Sequence, residues 1–430
     1  MEPTERRARP AADVLVVGAG VIGLVIAWRC RQRGLSVTVV DPAPGAGASR
    51  TAAGMLAPVT ELHYGEQSLL ALNLASAARY PGFAAELHEA TGRSIGYRRS
   101  GTVVAAWDAA DLAALRDLAG FAATLDQPVQ LLTGRELRTL VPGIAPGLPG
   151  GLLAPEDHQV DNRRLHAALM AAAVGSGAAL VDAPVARIDL TGDRVHGVTL
   201  ADGSAVAAGT VVLAAGAHSG RIAGLPDAVR PRVHPVKGQT LRVRMPVETM
   251  PPLVLRGTVK GAPVYLVPRD PDGPAEPSGN GGPAPTAPAA ATAPGLATGW
   301  TGRNGRAGRA GRSGTAELVI GASSEEAGFD CTPRAGAVYE LLRDAQSLLP
   351  AVSEAELVEV STGLRPGSPD NAPLIGRTGI DGLVVATGHY RNGVLLTPIT
   401  GDGVSTLLAD GELPPELVAF QPERHAPQEV

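Results

Sequence analysis

The first apolar run of the chain is interrupted by glycines at a regular spacing. Residues 13–17 are largely apolar and predict a buried strand, and Gly18, Gly20 and Gly23 follow in the pattern G-x-G-x-x-G. Apolar residues then recur at the spacing of a helix. This order predicts a tight turn at Gly18, a close approach of a pyrophosphate at Gly20, and close packing of the helix on the strand at Gly23.

A second apolar strand follows this helix at residues 36–40 and ends at Asp41. In dinucleotide-binding folds, an acid about 20 residues after the glycines binds the ribose hydroxyls. Three glycines alone also occur in flexible loops, but here strand, turn, helix, strand and acid follow one another in order. The stretch therefore predicts a dinucleotide-binding domain, with the phosphates at the N-terminus of its first helix.

Residues 42–58 are almost all small and cannot form a core of their own. One interpretation is a surface loop. The other is a backbone laid against a flat cofactor, because small side chains let main-chain N–H groups approach closely.

Hydrophobic periodicity predicts further helices and strands along the chain. Helices are predicted over residues 67–90, after Thr133 with its capping-box partner Glu136, after the N-cap residue Asp161, and from Thr332 and Pro333. Strands are predicted over residues 101–106, 179–181, 185–188, 210–217, 232–245, 264–268 and 317–321. Several of these strands suit a second, mostly antiparallel sheet.

Between Asp270 and Thr315 the composition changes abruptly to proline, alanine, glycine, serine and threonine. This composition predicts a disordered insertion without a packed core, located in a hairpin of the second sheet. Arginines recur every third residue near its end, at positions 303, 306, 309 and 312. Contact with RNA or another polyanion is the alternative interpretation of these arginines.

Composition and charge limit the class and the compartment. The 430 residues are enough for two domains, and 44% hydrophobic with only 3% aromatic residues predicts a mainly aliphatic core. A formal net charge of −5 gives no reason to expect nucleic acid or an anionic membrane as a partner. The two cysteines, Cys30 and Cys331, suit a reducing compartment, and no signal peptide or membrane span is recognisable, so a cytoplasmic location is expected.

Two glycine-rich stretches near the C-terminus each carry an arginine. Arg365 lies in the stretch 361–370, and Arg391 lies in the stretch 383–394, which again predicts a strand, a glycine turn and a helix start. The N–H groups of that turn suit a ring or an anion. From spacing alone, both arginines are compatible with surface salt bridges as well as with a binding site.

Together these motifs resemble those of the D-amino-acid oxidase family of FAD flavoproteins and, within that family, the glycine oxidases of thiamin biosynthesis. The resemblance covers nearly the whole chain except its ends and the insertion. It rests on six stretches in the family's order, at residues 17–23, 52–56, 235–238, 265–269, 363–366 and 388–393.

The resemblance implies bound FAD, held without a covalent bond because the C-terminal arginine-glycine region lacks the cysteine of the covalent-flavin relatives. It places the adenosine near Asp41, the pyrophosphate at the start of the first helix, and the flavin ring against residues 53–55. The implied cofactor-binding residues are Gly18, Gly20, Val21, Ile22, Gly23, Asp41, Pro42, Ala48, Ser49, Ala53, Gly54, Met55, Val185, Gly216, His389, Tyr390, Arg391, Asn392, Gly393, Val394 and Leu395.

For the substrate, the resemblance implies that Arg365 pairs with a carboxylate and that Arg391 and Tyr265 close the site. The planar fork of an arginine grips a carboxylate through two hydrogen bonds, while a tyrosine supplies a neutral donor. No general base is evident and no metal is expected, so orientation of a deprotonated amine is the main catalytic contribution.

Three positions depart from the family's pattern. His218 stands where relatives often have tryptophan, Pro263 where a glycine oxidase pocket often has histidine, and Ser324 where one has methionine. These departures bear on the substrate preference and not on the cofactor.

The expected fold class is α/β, with a Rossmann-like FAD-binding domain of the glutathione-reductase type and a second, substrate domain built on an antiparallel sheet. The FAD-binding domain is expected over residues 11–83, 149–231 and 361–424. The substrate domain is expected over residues 84–148 and 232–360, with the insertion at 270–315.

The expected reaction is oxidation of glycine, sarcosine or a small D-amino acid to the imine or glyoxylate, with oxygen as acceptor and hydrogen peroxide as product. The product would supply thiazole synthesis for thiamin, and both its transfer to a thiazole synthase and a homo-oligomeric state are left open. The alternatives are a sarcosine or D-amino-acid dehydrogenase with a non-oxygen acceptor, and a tRNA-modifying flavoprotein. Neither nucleic acid nor membrane is the expected partner.

Overall fold

The computed structural model describes residues 12–269 and 314–425. Its helices are α1 (Val21–Gln32), α2 (Ala48–Thr51), α3 (Gln67–Thr91), α4 (Ala109–Thr124), α5 (Gly134–Leu140), α6 (Asn162–Gly175), α7 (Ala335–Leu348), α8 (Thr397–Asp410) and α9 (Pro415–Val418). Short 3-10 helices lie at Gly216–Arg221, Val247–Thr249, Pro350–Glu354, Tyr390–Asn392 and Pro422–His425.

The strands form two large sheets and one short pair. The first sheet contains β1 (Ala12–Val17), β2 (Val37–Val40), β8 (Ala179–Val181), β9 (Val185–Thr191), β10 (Arg194–Leu200), β11 (Ala205–Leu213), β17 (Leu374–Arg377) and β18 (Leu383–Thr387). The second contains β4 (Thr102–Ala106), β5 (Gln130–Thr133), β6 (Gly150–Ala154), β12 (His234–Pro246), β13 (Val254–Val259), β14 (Ala262–Pro268), β15 (Thr315–Gly321) and β16 (Glu356–Gly367). The short pair is β3 (Met55–Leu56) with β7 (His158–Gln159).

The centre of the first sheet is parallel. β1 lies between β2 and β11, and β8 and β18 continue the parallel pairing on the two sides. β17 is an antiparallel edge, and β9 and β10 extend from β11 as an antiparallel hairpin. Val14 and Val16 face a core formed with α1, α6 and α8, whereas Leu15 and Val17 face β9 and β10. Both faces of β1 are therefore buried, as its continuous apolar run predicts.

The second sheet has the order β16-β12-β15-β14-β13-β4-β6-β5 and is mostly antiparallel, as predicted. β13 and β4 are paired in parallel. Leu266, Leu318 and Ile320 face a core that includes α7, while Val267 and Val319 face residues 53–55 on the opposite side. One face of this sheet is thus packed against helices, and the other faces the segment expected to contact a cofactor.

Most of the predicted helix starts are confirmed. α3 begins at Gln67, Thr133 and Glu136 form the capping box of α5, and Asp161 caps α6 through hydrogen bonds to two backbone N–H groups. The stretch 42–58 is not irregular throughout, because it contains α2 and β3.

The helix predicted from Thr332 begins instead at Ala335. Lys237 Nζ donates to the Thr332 carbonyl at 3.0 Å, and the Arg334 N–H donates to Gln239 Oε1 at 2.9 Å. Both partners are buried side chains of β12. They hold the residues before α7 in an extended conformation, which local helix signals do not reveal.

The expected domain ranges remain a proposal, and the sheets refine it at two boundaries. β6 pairs with β4 and β5 although it follows residue 149. β16 runs across residues 360 and 361 without interruption. We therefore propose that β6 and the whole of β16 belong to the substrate domain.

The predicted hairpin around the insertion is confirmed at its two strands. β14 and β15 are antiparallel neighbours, with Pro268 opposite Leu318, and the Arg269 N–H donates to the Glu317 carbonyl at 2.8 Å. Of the insertion expected at 270–315, residues 270–313 lie outside the described residues, whereas Thr315 is already the first residue of β15, so the expected C-terminal bound is too late.

Replacing residues 270–313 by a turn of about four glycine and serine residues should leave folding and turnover almost unchanged, because the paired strands on both sides supply the hairpin register. The measurements are the flavin absorption spectrum and kcat of the shortened protein. Loss of bound flavin from a soluble, folded protein would show that the segment has a structural role.

Candidate active site

The turn after β1 has the geometry that the glycines predict. Gly18 has a φ of 110°, and a Cβ there would collide with the Ala214 carbonyl. A Cβ on Gly23 would collide with the Gly18 carbonyl. Only glycine at both positions lets α1 begin directly against the end of β1.

The N-terminus of α1 is lined by backbone and by one hydroxyl group. The Ser49 hydroxyl accepts a hydrogen bond from the Val21 N–H at 3.1 Å, and a Cβ on Gly20 would come within 3.1 Å of the same oxygen. Ile22 is the next residue of the helix. Backbone N–H groups at a helix N-terminus, with no side chain at Gly20, form a site suited to a phosphate.

Asp41 lies beside this turn. Its carboxylate accepts hydrogen bonds from the Ala19 N–H at 2.6 Å and the Ala43 N–H at 2.7 Å, with Pro42 exposed between. His166 Nε2 lies 2.9 Å from the Ala19 carbonyl. The acid is thereby fixed next to the glycines, where the sequence places a ribose.

Two other predicted residues lie at the same edge of the first sheet. Val185 begins β9 and packs against the hydrophobic cluster that contains Val17 and Val40, at the ends of β1 and β2. Gly216 follows β11, and its carbonyl accepts a hydrogen bond from the Thr387 hydroxyl at 3.0 Å. The carboxyl ends of parallel strands are where ligands bind in open α/β sheets.

Residues 48–56 lead from this edge to the second sheet. α2 carries Ala48 and Ser49, and Ala53 and Met55 pack on an apolar patch of the second sheet. Gly54 between them has a φ of 75°, and a Cβ there would collide with the Val160 carbonyl. The apolar patch consists of Val254, Val267 and Val319.

The glycine turn after β18 leads into α8, as predicted. The carbonyls of Val394 and Leu395 accept hydrogen bonds from the hydroxyls of Tyr80 and Ser76 in α3. Tyr390 has a φ of 46°, which is uncommon for a residue with a side chain. The turn is therefore held in a specific conformation by α3.

The side chain of His389 is buried against α8. The residue is 3% exposed, and its Nε2 lies 3.1 Å from the Thr400 hydroxyl. Burial lowers the pKa of His389 to about 3, so the ring is neutral. Only its backbone is left for the cofactor contact that the family resemblance implies, together with Asn392 and Gly393 later in the same turn.

Arg365 and Tyr265 converge on one face of the second sheet. Arg365 of β16 lies over Gly238 of β12, and Tyr265 of β14 lies over Gly321 of β15, where in each case a Cβ would collide with the side chain. The two side chains approach each other across these neighbouring glycine strands, close enough for the charge of Arg365 to act on the Tyr265 phenol. Burial raises the pKa of Tyr265, although the charge of Arg365 opposes this, so the phenol is neutral at pH 7.

Arg391 is paired with a glutamate that the sequence does not single out. Glu61 binds Arg391 Nε at 3.1 Å through one carboxylate oxygen and Arg256 Nη2 at 2.5 Å through the other. Burial acts to raise the pKa of Glu61, but the charges of Arg256 and Arg391 outweigh it and hold this pKa below its usual range. Arg256 lies opposite Tyr265 in the β13–β14 pair, so this ionic cluster borders the Arg365–Tyr265 pair.

A buried aspartate anchors the backbone next to Glu61. Asp157 accepts hydrogen bonds from the Val59 N–H at 3.0 Å, the Thr60 N–H at 2.7 Å and the Thr60 hydroxyl at 2.6 Å. Arg256 Nη1 donates to the Thr60 carbonyl at 3.1 Å. Burial raises the pKa of Asp157 to about 6, which still leaves it ionised at pH 7.

An aromatic ring of the loop between β15 and α7 contacts the 3-10 helix at Gly216–Arg221. The rings of Phe329 and His218 have centroids 5.0 Å apart, and the Arg221 guanidinium lies 4.4 Å from the Phe329 centroid. His218, which departs from the family's pattern, therefore takes part in contact with this loop.

The same loop borders Arg365. Arg365 Nη1 donates to the Ser323 carbonyl at 3.1 Å, and the next residue, Ser324, is one of the three positions that depart from the family's pattern. Pro263 is exposed on β14, and it lies on the same side of the strand as Tyr265 because the two positions are two residues apart. Both departures thus lie beside the pair expected to bind the substrate.

The arrangement fits a dinucleotide that carries a flat ring. Residues 48–55 extend from the glycine cradle beside α1 to the apolar patch under Tyr265, so a phosphate-binding end and a ring-binding end belong to one segment. Within residues 12–269 and 314–425, no group of three or more His, Cys, Asp or Glu side chains is placed to hold a metal ion. No helix in the described part of the chain is long and apolar enough to cross a membrane.

Residues 13–407 match the protein family that is described as FAD dependent oxidoreductase. The chain belongs to this FAD-dependent oxidoreductase family. The family resemblance inferred from the six motifs is thereby confirmed, and FAD is the cofactor class of the family.

Members of this FAD-dependent family resemble the chain over nearly its full length. The glycine oxidase of Geobacillus kaustophilus is 33% identical over 416 residues, which cover 96% of this chain and 97% of that protein. The crystal structure of a glycine oxidase from Geobacillus kaustophilus superposes with a TM-score of 0.80 at 32% identity and covers 96% of this chain and 99% of that one. This likeness confirms the expected α/β fold class.

A longer family member matches only in part. The bifunctional protein ThiO/ThiG of Synechocystis sp. is 32% identical over 417 residues, which cover 96% of this chain but 54% of that protein. The chain thus spans about half the length of this relative.

Replacing Glu61 by Gln should destabilise the protein at pH 7 by roughly 1–3 kcal/mol, because Arg256 and Arg391 lose their shared counter-charge. The pKa of Glu61 is lowered by folding, so its ionised form contributes stability above the ordinary pKa of 4.5, and this contribution is lost as the pH falls through the lower value of the folded state. Thermal unfolding of both proteins over a pH series should therefore show a difference that shrinks below pH 4.5.

Glu86→Gln is the matched control, because Glu86 also pairs with an arginine but is 40% exposed. Its effect should stay below about 1 kcal/mol. Equal losses in the two variants would show that Glu61 is an ordinary surface partner.

Proposed function

We propose that this chain is a FAD-dependent oxidase of glycine, or of a similarly small amine such as sarcosine or a small D-amino acid. The observation that carries the proposal is the convergence of Arg365 and Tyr265 beside the apolar patch that packs on Ala53 and Met55. A bidentate cation and a neutral donor next to an apolar ring site suit the carboxylate and the α-carbon of an amino acid.

In this proposal, FAD lies along residues 48–55, with its pyrophosphate at the N-terminus of α1 and its ring at the apolar patch. When bound, FAD supplies the acceptor for the two electrons that leave the α-carbon. Binding is proposed to be non-covalent, since Cys30 is buried within α1 and Cys331 is exposed in the loop before α7.

The chain's own residues contribute binding and orientation. Arg365 keeps one hydrogen bond to the Ser323 carbonyl, which fixes the guanidinium while its remaining N–H groups bind the substrate carboxylate. Tyr265 donates from a phenol that burial keeps neutral. Arg391 and Arg256 share Glu61, which offsets one of their two positive charges, and Arg256 also interacts with the carboxyl group of Asp157. The pocket therefore suits a substrate with one carboxylate.

We further propose that oxygen is the final acceptor, which gives hydrogen peroxide, while the imine hydrolyses to glyoxylate and ammonia. Similarity to a protein named as the bifunctional ThiO/ThiG supports a product that passes to a thiazole synthase of thiamin biosynthesis. The purified enzyme should consume oxygen and form peroxide with glycine in an oxygen-electrode comparison of glycine, sarcosine, D-alanine and D-proline. Flavin reduction without oxygen uptake would instead identify a dehydrogenase.

Replacing Arg365 by Ala should lower kcat/KM for glycine by a factor that corresponds to a loss of about 2–5 kcal/mol in transition-state stabilisation. The reason is that the substrate carboxylate is left desolvated without a counter-charge. Part of the loss should appear in the maximal rate of flavin reduction, since the same contact orients the α-carbon. Arg365→Lys should retain some binding through its charge but lose the fork geometry. Stopped-flow flavin reduction measures both effects.

Arg244→Ala is the control, because Arg244 lies on the same sheet but is exposed and pairs with Glu356 at the surface. It should leave reduction unchanged. Near wild-type reduction of Arg365→Ala at low glycine would mean that another residue, with Arg391 the next candidate, anchors the carboxylate.

A further inference from the structure

Asn162 is fully buried where the two sheets meet, and each of its hydrogen-bonding positions is used. Its Nδ2 donates to the carbonyls of Ser49 at 2.7 Å and Arg50 at 2.9 Å. Its Oδ1 accepts from Arg269 at 3.1 Å and from Arg242 at 3.3 Å. As the first residue of a capped helix, Asn162 has a fixed backbone from which to make these contacts.

Arg269 supports the same segment from the end of β14. It is 6% exposed and donates from Nη2 to the Ala53 carbonyl at 2.9 Å and from Nη1 to the Val160 carbonyl at 3.0 Å. Its Nε lies 3.7 Å from the Asp161 carboxylate. Burial lowers the pKa of Arg269 to about 10, which leaves the guanidinium charged at neutral pH.

These contacts determine how the peptide groups of residues 48–55 are turned. In a trans peptide the N–H points away from the C=O, so fixing a carbonyl also fixes the direction of the N–H on the other side. Apolar packing is non-directional and does not set this rotation. Asn162 and Arg269 supply three of the hydrogen bonds that set this rotation, at the carbonyls of Ser49, Arg50 and Ala53.

We propose that Asn162 and Arg269 are positioning residues for FAD, which hold residues 48–55 in the binding conformation before the cofactor arrives. The inference rests on the placement of FAD along residues 48–55 in the proposed function. A protein whose binding conformation is only partly populated binds its ligand more weakly in proportion to that fraction. Loss of either side chain therefore weakens FAD binding without removing any direct contact to FAD.

The test is titration of apoprotein with FAD, followed by quenching of flavin fluorescence, for Asn162→Ala, Asn162→Asp and Arg269→Lys. Asn162→Asp keeps an acceptor for both arginines but loses the donors to Ser49 and Arg50. Each variant should raise the Kd for FAD by about tenfold or more, the size expected when a buried hydrogen-bond partner is removed. Reversible titration also requires that FAD is bound without a covalent bond.

Stability separates positioning from a purely structural role. Asn162→Asp should unfold at a higher temperature than Asn162→Ala, because its carboxylate pairs with Arg242 and Arg269, yet it should bind FAD no better. Asp344→Ala is the control, since Asp344 is a buried polar residue of α7 that pairs with Arg343 far from residues 48–55 in the sequence. It should lose stability and keep its Kd. An Asn162→Asp variant with wild-type Kd, or an equal loss of affinity in Asp344→Ala, would overturn the inference.

Gly20→Val distinguishes failure of this inference from failure of the proposed cofactor placement. A valine there fills the cradle beside Ser49, so it should abolish FAD binding. If Gly20→Val loses FAD while the Asn162 and Arg269 variants bind normally, only the positioning role is wrong. If Gly20→Val also binds normally, the placement of FAD is wrong.

Discussion

The hydrogen bonds to the carbonyls of residues 49–54 are the constraint on which the site depends. Donors from α6, from β12 and from Arg269, which directly follows β14, reach the carbonyls of Ser49, Arg50, Thr51 and Ala53. The Val160 N–H donates to the Gly54 carbonyl. The donors belong to α6, which packs on the first sheet, and to the second sheet, so the conformation of the segment depends on contacts with both. In the proposed placement of FAD, cofactor binding therefore depends on contacts from both sheets.

The proposed substrate site depends on the space that two glycines leave in the second sheet and on an ionic cluster beside it. Gly238 and Gly321 leave room above two neighbouring strands, which lets a guanidinium and a phenol from the flanking strands meet. Glu61 holds Arg256 and Arg391 together, and Asp157 fixes the backbone that carries this glutamate. The glycines determine where Arg365, the proposed carboxylate anchor, lies, and Glu61 reduces the positive charge beside it.

The sequence predicts what depends on neighbours along the chain. The turn at Gly18, the capping box at Thr133 and the N-cap at Asp161 follow from local sterics and hydrogen bonds, and the structure confirms them. The start of α7 is missed because residues of β12, distant in sequence, hold the preceding segment extended.

The Glu61 cluster is missed for the same reason. Sheet pairing brings its members together, and a charged residue outside a motif gives no signal of its partner.

The exposed thiol of Cys331 has a practical consequence for study of the protein. Cys30 is enclosed in α1 and the chain has two cysteines in all, so a thiol-directed fluorophore labels one position without mutagenesis. That position shares the loop between β15 and α7 with Ser323, whose carbonyl binds Arg365. A fluorophore at Cys331 would therefore report on the surroundings of the loop that holds Arg365.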